Sequence, residues 1–147
     1  MRCLIQRSLE SNVEVNGNII GSINKGLVVL VGFTDTDNLK DIDYMVNKIL
    51  NIRIFDDEDG VMNKSLLEVN GELLVVSQFT LYADASKGRR PSYVKALSSD
   101  KAIPLYELFI SKLKENNIKV ETGKFGADMK VSITNDGPVT IWVESRE

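Results

Sequence analysis

Three hydrogen-bonding side chains occur within four positions near the middle of the chain, at Ser77, Gln78 and Thr80. They follow an apolar run, residues 73–76, of the kind typical of a strand buried on both faces. Because side chains alternate along a strand, we expect Ser77 and Phe79 on one face and Gln78 and Thr80 on the other. Polar groups at the end of such a strand lie at the rim of the core, where a ligand can reach them.

The densest basic cluster of the sequence comes next, with Lys87, Arg89 and Arg90 in four positions. A polar rim followed by a cationic loop favours a site for an anionic substrate. The alternative is an ordinary strand that runs into a solvated loop. The net charge of −3 does not attract nucleic acid as a whole, so binding to a phosphate backbone would depend on this local patch.

The chain contains no histidine. This excludes Ser-His-Asp and Cys-His nucleophile systems and makes a zinc site unexpected, so the sequence predicts neither a metal nor a cofactor. Thr80 could act as a nucleophile, but no neighbouring residue in the sequence activates it, and a strand residue is the alternative. The acidic segment 56–60 is predicted to be a turn, because an EF-hand aligned on Gly60 would have Leu66 where a glutamate is required.

A second unusual feature is the pair Gly137-Pro138. An X-Pro bond can be cis at modest cost, and glycine tolerates backbone geometries that other residues do not. Such a pair could present two unshielded carbonyl oxygens as a rigid clamp. The alternative is a plain turn, residues 135–138, between two strands.

The surrounding elements are predicted to be mostly strands, with two helices. Asn16-Gly17 indicates a hairpin turn within residues 12–23, and the apolar run 27–31 is expected beside residues 73–76 in the core. Further strands are predicted at residues 3–8, 53–55, 118–122, 129–134 and 139–144. A first helix should begin at N-caps among residues 35–37 and end near residue 51, burying Leu39, Ile42, Met45, Val46 and Ile49. A second should begin near Pro104 and end near residue 116, burying Leu105, Leu108, Phe109 and Leu113.

Length and composition indicate one soluble α+β domain, residues 1–147, with curved mixed sheets around a barrel-like core. No apolar run approaches the roughly 20 residues of a membrane span, and the start is charged too early for a signal peptide. One cysteine, Cys3, fits a reducing cytoplasm and is expected in the core.

Two segments, residues 77–81 (Ser-Gln-Phe-Thr-Leu) and 135–140 (Asn-Asp-Gly-Pro-Val-Thr), resemble the two signature motifs of the D-aminoacyl-tRNA deacylases. The surroundings are also similar to that family, at residues 1–7, 82–84, 87–92 and 121–129. The resemblance covers the whole chain in order, with no departure at the motif positions. It therefore implies a full family member with the fold of that family.

The resemblance implies hydrolysis of the ester between a D-amino acid, or glycine mischarged on tRNA-Ala, and the terminal adenosine of tRNA. It implies a homodimer in which Gly137 and Pro138 of one subunit enter the partner's pocket and exclude L-amino acids. In such enzymes Ser77, Gln78, Phe79 and Thr80 would line the pocket, with amides near Phe79 and Thr80 as an oxyanion hole. Arg7 resembles the residue that orients the Gly-Pro carbonyl, and Phe125 and Met129 resemble those that hold the adenine, although both would ordinarily be core residues.

An aminoacyl ester carries its own vicinal 2′-hydroxyl, so substrate-assisted hydrolysis needs no ionisable side chain. We rank this above Thr80 as a covalent nucleophile. Three other interpretations stay open: a nucleic-acid-binding module without turnover, a small-metabolite-binding dimer, and a related deacylase for other mischarged tRNAs.

Overall fold

The computed structural model describes residues 1–146, and the chain alternates strands with two α-helices there; Glu147 lies outside the described residues. A 3₁₀ turn, Phe79–Tyr82, follows the seventh strand. The strands are β1 (Arg2–Ser8), β2 (Ser11–Val15), β3 (Asn18–Ile23), β4 (Gly26–Gly32), β5 (Phe55–Asp56), β6 (Met62–Lys64), β7 (Glu72–Ser77), β8 (Val120–Thr122), β9 (Lys130–Ser132) and β10 (Asn135–Glu144). The helices are α1 (Leu39–Asn51) and α2 (Ser99–Lys114).

The two apolar runs of the sequence are neighbours at the centre of the main sheet. Its strand order is β10-β1-β4-β7-β8. Strand β4 pairs in parallel with β7, and β7 with β8, whereas β1 is antiparallel to both β4 and β10. The prediction that both runs lie side by side in the core is therefore confirmed, and the sheet is mixed.

Alternation along the central strands supplies two hydrophobic cores, one on each face of the main sheet. Leu27, Val29 and Val31 of β4 join the larger core with the buried residues of α1 and α2. Val28 of the same strand faces the smaller core, which it shares with the sheet β3-β2-β9. Both faces are covered, which explains why these strands are apolar throughout.

The first helix begins one residue later than predicted. Asn38 caps it, with its side chain accepting from the amide of Lys40, and Asp41 completes a capping box by accepting from the Asn38 amide. Asp37 is not the cap because it pairs with the Met1 ammonium at 2.6 Å and accepts from the Thr34 amide. Leu39 is the first residue of this helix and is 51% exposed, so its predicted burial is wrong.

The second helix also differs in detail from the prediction. Pro104 lies at its sixth residue, with Ser98 as the N-cap position. Its buried side chains are Ala102, Tyr106, Phe109, Ile110 and Leu113, and Leu108, predicted to be buried, is 38% exposed.

The predicted turn at residues 135–138 is wrong, because this segment already belongs to β10. Strand β10 is one of the two edge strands of the main sheet and pairs with β1, with an irregularity between Gln6 and Ser8 that accommodates the Gly-Pro pair. The acidic segment forms the predicted turn: the Asp57 carboxylate accepts from the amides of Asp59 and Val61, between β5 and β6. No helix within residues 1–146 is both long enough and apolar enough to cross a membrane.

Candidate active site

The polar motif lies where β7 ends against β4. The amide of Gln78 donates to the Val31 carbonyl at 2.7 Å, which is the last bond along this strand pair. The chain then enters the 3₁₀ turn instead of continuing as a strand, so the predicted alternation of Ser77 to Thr80 over two faces is wrong. The turn packs closely on β4: a Cβ at Gly32 would lie 2.8 Å from the Gln78 carbonyl oxygen.

A cleft of about 620 Å³ opens beside this turn. Its walls come from the ends of β4 and β7, the start of α2 and the segment 125–131. The cleft brings together five of the predicted site residues, which are far apart in sequence: Ser77, Gln78, Phe79, Phe125 and Met129. A mostly apolar cleft with a few polar groups at one end is the usual form of a small-ligand site.

Phe125 is held in place from behind by α2. Its ring meets that of Tyr106 edge-on, with centroids 5.6 Å apart. The Tyr106 hydroxyl donates to the carbonyl of Val75 at 2.8 Å, and burial raises the pKa of this phenol above its ordinary value. Tyr106 therefore links the Phe125 ring to β7 through one ring contact and one hydrogen bond.

Thr80 lies next to the cleft and does not line it. Its hydroxyl oxygen accepts a short hydrogen bond from the side-chain amide of Gln78. An amide N–H group is a donor and takes no proton, so this contact does not activate the hydroxyl as a base would.

Arg7, Gly137 and Pro138 form a second group, outside the residues that line the cleft within the described chain. Arg7 is buried, with only 8% of the residue exposed. It donates from Nε to the carbonyl of Asp136 at 3.0 Å and from Nη1 to the carbonyl of Ile54 at 2.9 Å. These contacts fix the backbone directly before the Gly-Pro pair.

The Gly137–Pro138 peptide bond is cis, and both residues are exposed. Gly137 has φ +132°, a conformation that favours glycine. A Cβ there would lie 2.8 Å from Val139 Cγ2 and 3.2 Å from Arg7 Nη2. Any other residue at position 137 would therefore be strained in its backbone and would have too little space for its Cβ.

The basic cluster lies on an exposed loop that leaves the 3₁₀ turn. The loop is closed at its base by Asp84 and Ser92, whose backbones exchange two hydrogen bonds of 2.8 Å. Lys87, Arg89 and Arg90 are all exposed and lie outside the cleft lining. Hydrogen bonds from Ser86 lower the pKa of the Asp84 carboxyl.

Sequence interpretation missed Tyr93, which follows this loop and lines the cleft with its ring against Phe79. The available signal was an aromatic residue three positions after the basic cluster. Within residues 1–146, no group of three or more acidic or cysteine side chains is placed to hold a metal ion.

The family model of the D-Tyr-tRNA(Tyr) deacylases matches residues 4–144. The chain belongs to this family. A D-aminoacyl-tRNA deacylase of Clostridium botulinum (strain Eklund 17B / Type B) is 57% identical over 145 residues, which cover 99% of this chain and 97% of that protein. One of Thermosipho melanesiensis (strain DSM 12029 / CIP 104789 / BI429) is 57% identical over 148 residues, covering 100% and 99%. The predicted family, and the enzyme class that defines it, are therefore confirmed.

Two solved structures have the same fold. The c-Myc DNA Unwinding Element Binding Protein superimposes with a TM-score of 0.94 at 40% identity, covering 100% of both chains. A probable eukaryotic D-amino acid tRNA deacylase superimposes with a TM-score of 0.83 at 20% identity, covering 97% of this chain and 98% of the other. The second similarity is evidence for the fold alone. The predicted α+β fold is confirmed.

Proposed function

We propose that this chain hydrolyses the ester between a D-amino acid and the 3′-terminal adenosine of tRNA, releasing the free D-amino acid and tRNA. Glycine mischarged on tRNA-Ala is a second substrate, because it lacks the L side chain that the site rejects. The observation that carries the proposal is the cleft, which unites the polar motif with Phe125 and Met129. The reaction belongs to the cytoplasm, where aminoacyl-tRNAs are used.

The ester carbonyl lies beside the 3₁₀ turn in this proposal. The first hydrogen bond within the turn runs from the Leu81 amide to the Gln78 carbonyl. The amides of Phe79 and Thr80 precede it, at the positive end of the turn. They stabilise the oxyanion that develops during hydrolysis, and Ser77 and Gln78 orient the amino acid.

The terminal adenine occupies the other end of the cleft, against Phe125 and Met129. A base has an apolar face, and the edge-on support from Tyr106 keeps the Phe125 ring available for stacking. This arrangement separates the two parts of the substrate, with the base on one wall and the ester at the polar end.

Selection against L-amino acids comes from Gly137 and Pro138 of a second copy of the chain. Three features support this homodimer: the pair is exposed, it lies outside the cleft of its own chain, and Arg7 holds the preceding carbonyl rigidly. The two backbone carbonyls face the Cα of the substrate and leave room for hydrogen only. A preorganised backbone can reject a larger group sterically without any charged side chain.

The decisive experiment compares D-Tyr-tRNA and L-Tyr-tRNA with wild-type protein and Gly137→Ala. Wild type should hydrolyse the D-substrate with strong preference. Gly137→Ala should lose D-substrate turnover while it keeps tRNA binding, because the added Cβ collides locally with Val139 and Arg7. Equal loss of turnover and binding would indicate misfolding and would count against the assigned role.

A mixing experiment tests action across the dimer. Gly137→Ala disables the Gly-Pro pair, and Phe125→Ala disables the adenine wall of the cleft. Each variant alone should be nearly inactive. After unfolding and refolding together, half of the dimers are hybrids, and one of the two sites in each hybrid has both components intact. The mixture should recover roughly a quarter of the wild-type activity. No recovery would mean that both components serve the same chain's site.

A further inference from the structure

Tyr93 forms an aromatic pair with Phe79 at the mouth of the cleft. Their ring centroids are 5.4 Å apart and the planes meet at 66°, an edge-to-face contact. Both rings are unusually open to solvent for aromatic residues, with 57% of Phe79 and 45% of Tyr93 exposed. The edge-to-face contact uses only part of the Tyr93 ring, so apolar surface stays available next to the cleft.

The position of Tyr93 is fixed by the backbone on both sides. The Asp84–Ser92 bridge closes the basic loop directly before it, and the amide of Ala96 donates to the Tyr93 carbonyl at 3.0 Å. The backbone of Tyr93 is therefore held at the base of the loop that carries Lys87, Arg89 and Arg90. An exposed aromatic ring beside a cationic loop is the combination that single-stranded nucleic acids recognise, with stacking for bases and charge for phosphates.

The substrate continues beyond the cleft as a single strand. With the terminal adenosine against Phe125 and Met129, the next nucleotide must leave through the mouth, and its 3′-phosphate carries a negative charge. Phe79 and Tyr93 line that same cleft. A base that stacks on Tyr93 would keep the strand directed toward the basic loop.

We propose that Tyr93 is the stacking platform for the base of the penultimate nucleotide of the substrate, with Phe79 packed against it. This subsite rests on the proposed function and adds a second nucleotide to it. Stacking on an aromatic ring is tolerant of base identity, so the subsite contributes affinity for any single-stranded 3′ end and little selection among tRNAs.

The test compares two small substrates that differ by one nucleotide. D-tyrosyl-adenosine occupies the cleft only, whereas the D-tyrosyl ester of cytidylyl-(3′→5′)-adenosine also reaches the subsite. Tyr93→Ala should raise the KM for the dinucleotide and for D-Tyr-tRNA by about tenfold, within the range measured for base stacking. It should change the KM and kcat for D-tyrosyl-adenosine far less, because that ester ends before the subsite, and Tyr93→Phe should match wild type on all three substrates.

Val94, the neighbouring residue and almost fully exposed, provides the matched control, because Val94→Ala should change nothing. Equal losses for nucleoside and dinucleotide esters would overturn the subsite and make Tyr93 a support for Phe79. Unchanged KM values for every substrate would overturn it as well. Failure of wild type to hydrolyse D-Tyr-tRNA itself would instead defeat the proposed function, together with the subsite that rests on it.

Discussion

Arg2 holds the 3₁₀ turn through the carbonyl of Leu81, to which its Nη1 donates at 2.9 Å. The same guanidinium lies 4.4 Å from the ring centre of Tyr82. Arg2 is the first residue of β1, so the strand that pairs with β10 is tied directly to the turn with the Phe79 and Thr80 amides. The turn keeps its place because a planar cation from another strand satisfies its carbonyl.

Replacing Arg2 should therefore lower turnover more than substrate binding. Arg2→Lys keeps a charge but loses the planar group that bonds Leu81 and stacks on Tyr82. Since misplacement by about 1 Å can cost 10²-fold in rate, we expect kcat to fall by about tenfold or more with KM nearly constant. Steady-state kinetics measure this, and Arg53→Lys is the matched control, since Arg53 donates to Asn63 on the β5–β6 hairpin. A rise in KM alone would contradict the positioning role.

The 2′-hydroxyl of the terminal adenosine should take part in the reaction, because Gln78 does not activate Thr80 as a base. A D-aminoacyl ester on a 3′-terminal 2′-deoxyadenosine should bind but turn over slowly. Thr80→Val, which keeps the amide and the shape, should retain much of the wild-type rate. Single-turnover kinetics with both esters measure these effects.

The opposite pattern would identify Thr80 as the nucleophile. In that case the deoxy ester would react normally, Thr80→Val would be inactive, and a covalent acyl-threonine could be trapped in wild type. Gln78→Glu is a useful companion variant, since a carboxylate beside Thr80 Oγ1 could accept a proton that the amide cannot.

Affinity for tRNA should depend on the basic loop. Neutralising Arg89 and Arg90 to Gln should raise the KM for D-Tyr-tRNA and reduce the slope of log affinity against log salt by roughly 1 per arginine that contacts phosphate. The same double neutralisation at Lys40 and Arg53, which are exposed elsewhere, controls for the overall change in charge. An unchanged slope in the loop variant would make the loop a solvated surface.

Stability should depend on the buried carboxylate of Asp41. Burial alone would raise its pKa, but hydrogen bonds from Arg146, Ser145 and the Asn38 amide hold the pKa well below the ordinary 3.8. Because the folded pKa is depressed, this stabilisation is complete above the unfolded value and is lost as the pH falls below it. Asp41→Asn should therefore lower Tm at pH 7 by about 5 °C or more, and the deficit should shrink below about pH 4.

Asp43 is the matched control on the same helix. It pairs with Lys112 at 2.8 Å but is largely exposed, so Asp43→Asn should change Tm little at any pH. Thermal melts from pH 2 to pH 7 measure both variants. A deficit for Asp41→Asn that stays constant over this range would contradict the assignment.

The sequence predicted the central sheet well but not the turn beside it. The central residues of strands β4 and β7 are wholly apolar, and such strands are stable only in the middle of a sheet covered on both faces. The hydrophobic pattern of each segment was therefore sufficient to predict their place. Phe79, Thr80 and Leu81 alternate apolar and polar side chains as a strand would, and the turn arises from distant groups, the Val31 carbonyl and Arg2. Pattern within one segment carries no information about such partners.

The start of α1 and the lining of the cleft also depend on contacts between distant residues, which the sequence pattern does not reveal. Three candidate caps were predicted at residues 35–37, but Asp37 is engaged by the Met1 ammonium and the next residue, Asn38, caps the helix. Resemblance to a family supplied five of the residues that line the cleft, whereas the rest of its walls were not predicted. Tyr93 was missed because its position depends on the Asp84–Ser92 bridge, and the hydrophobic pattern of the sequence does not predict that bridge.

The outer edge of β10 has a consequence for handling the protein. Within residues 1–146 no further strand pairs with this edge, and the strand is ten residues long. Its last exposed side chains include Trp142 beside a single acid, Glu144. Long edge strands with few charges are templates for pairing between molecules. Wherever this edge is left uncovered, we expect molecules to pair along it, and Thr140→Lys should raise the concentration at which the protein precipitates.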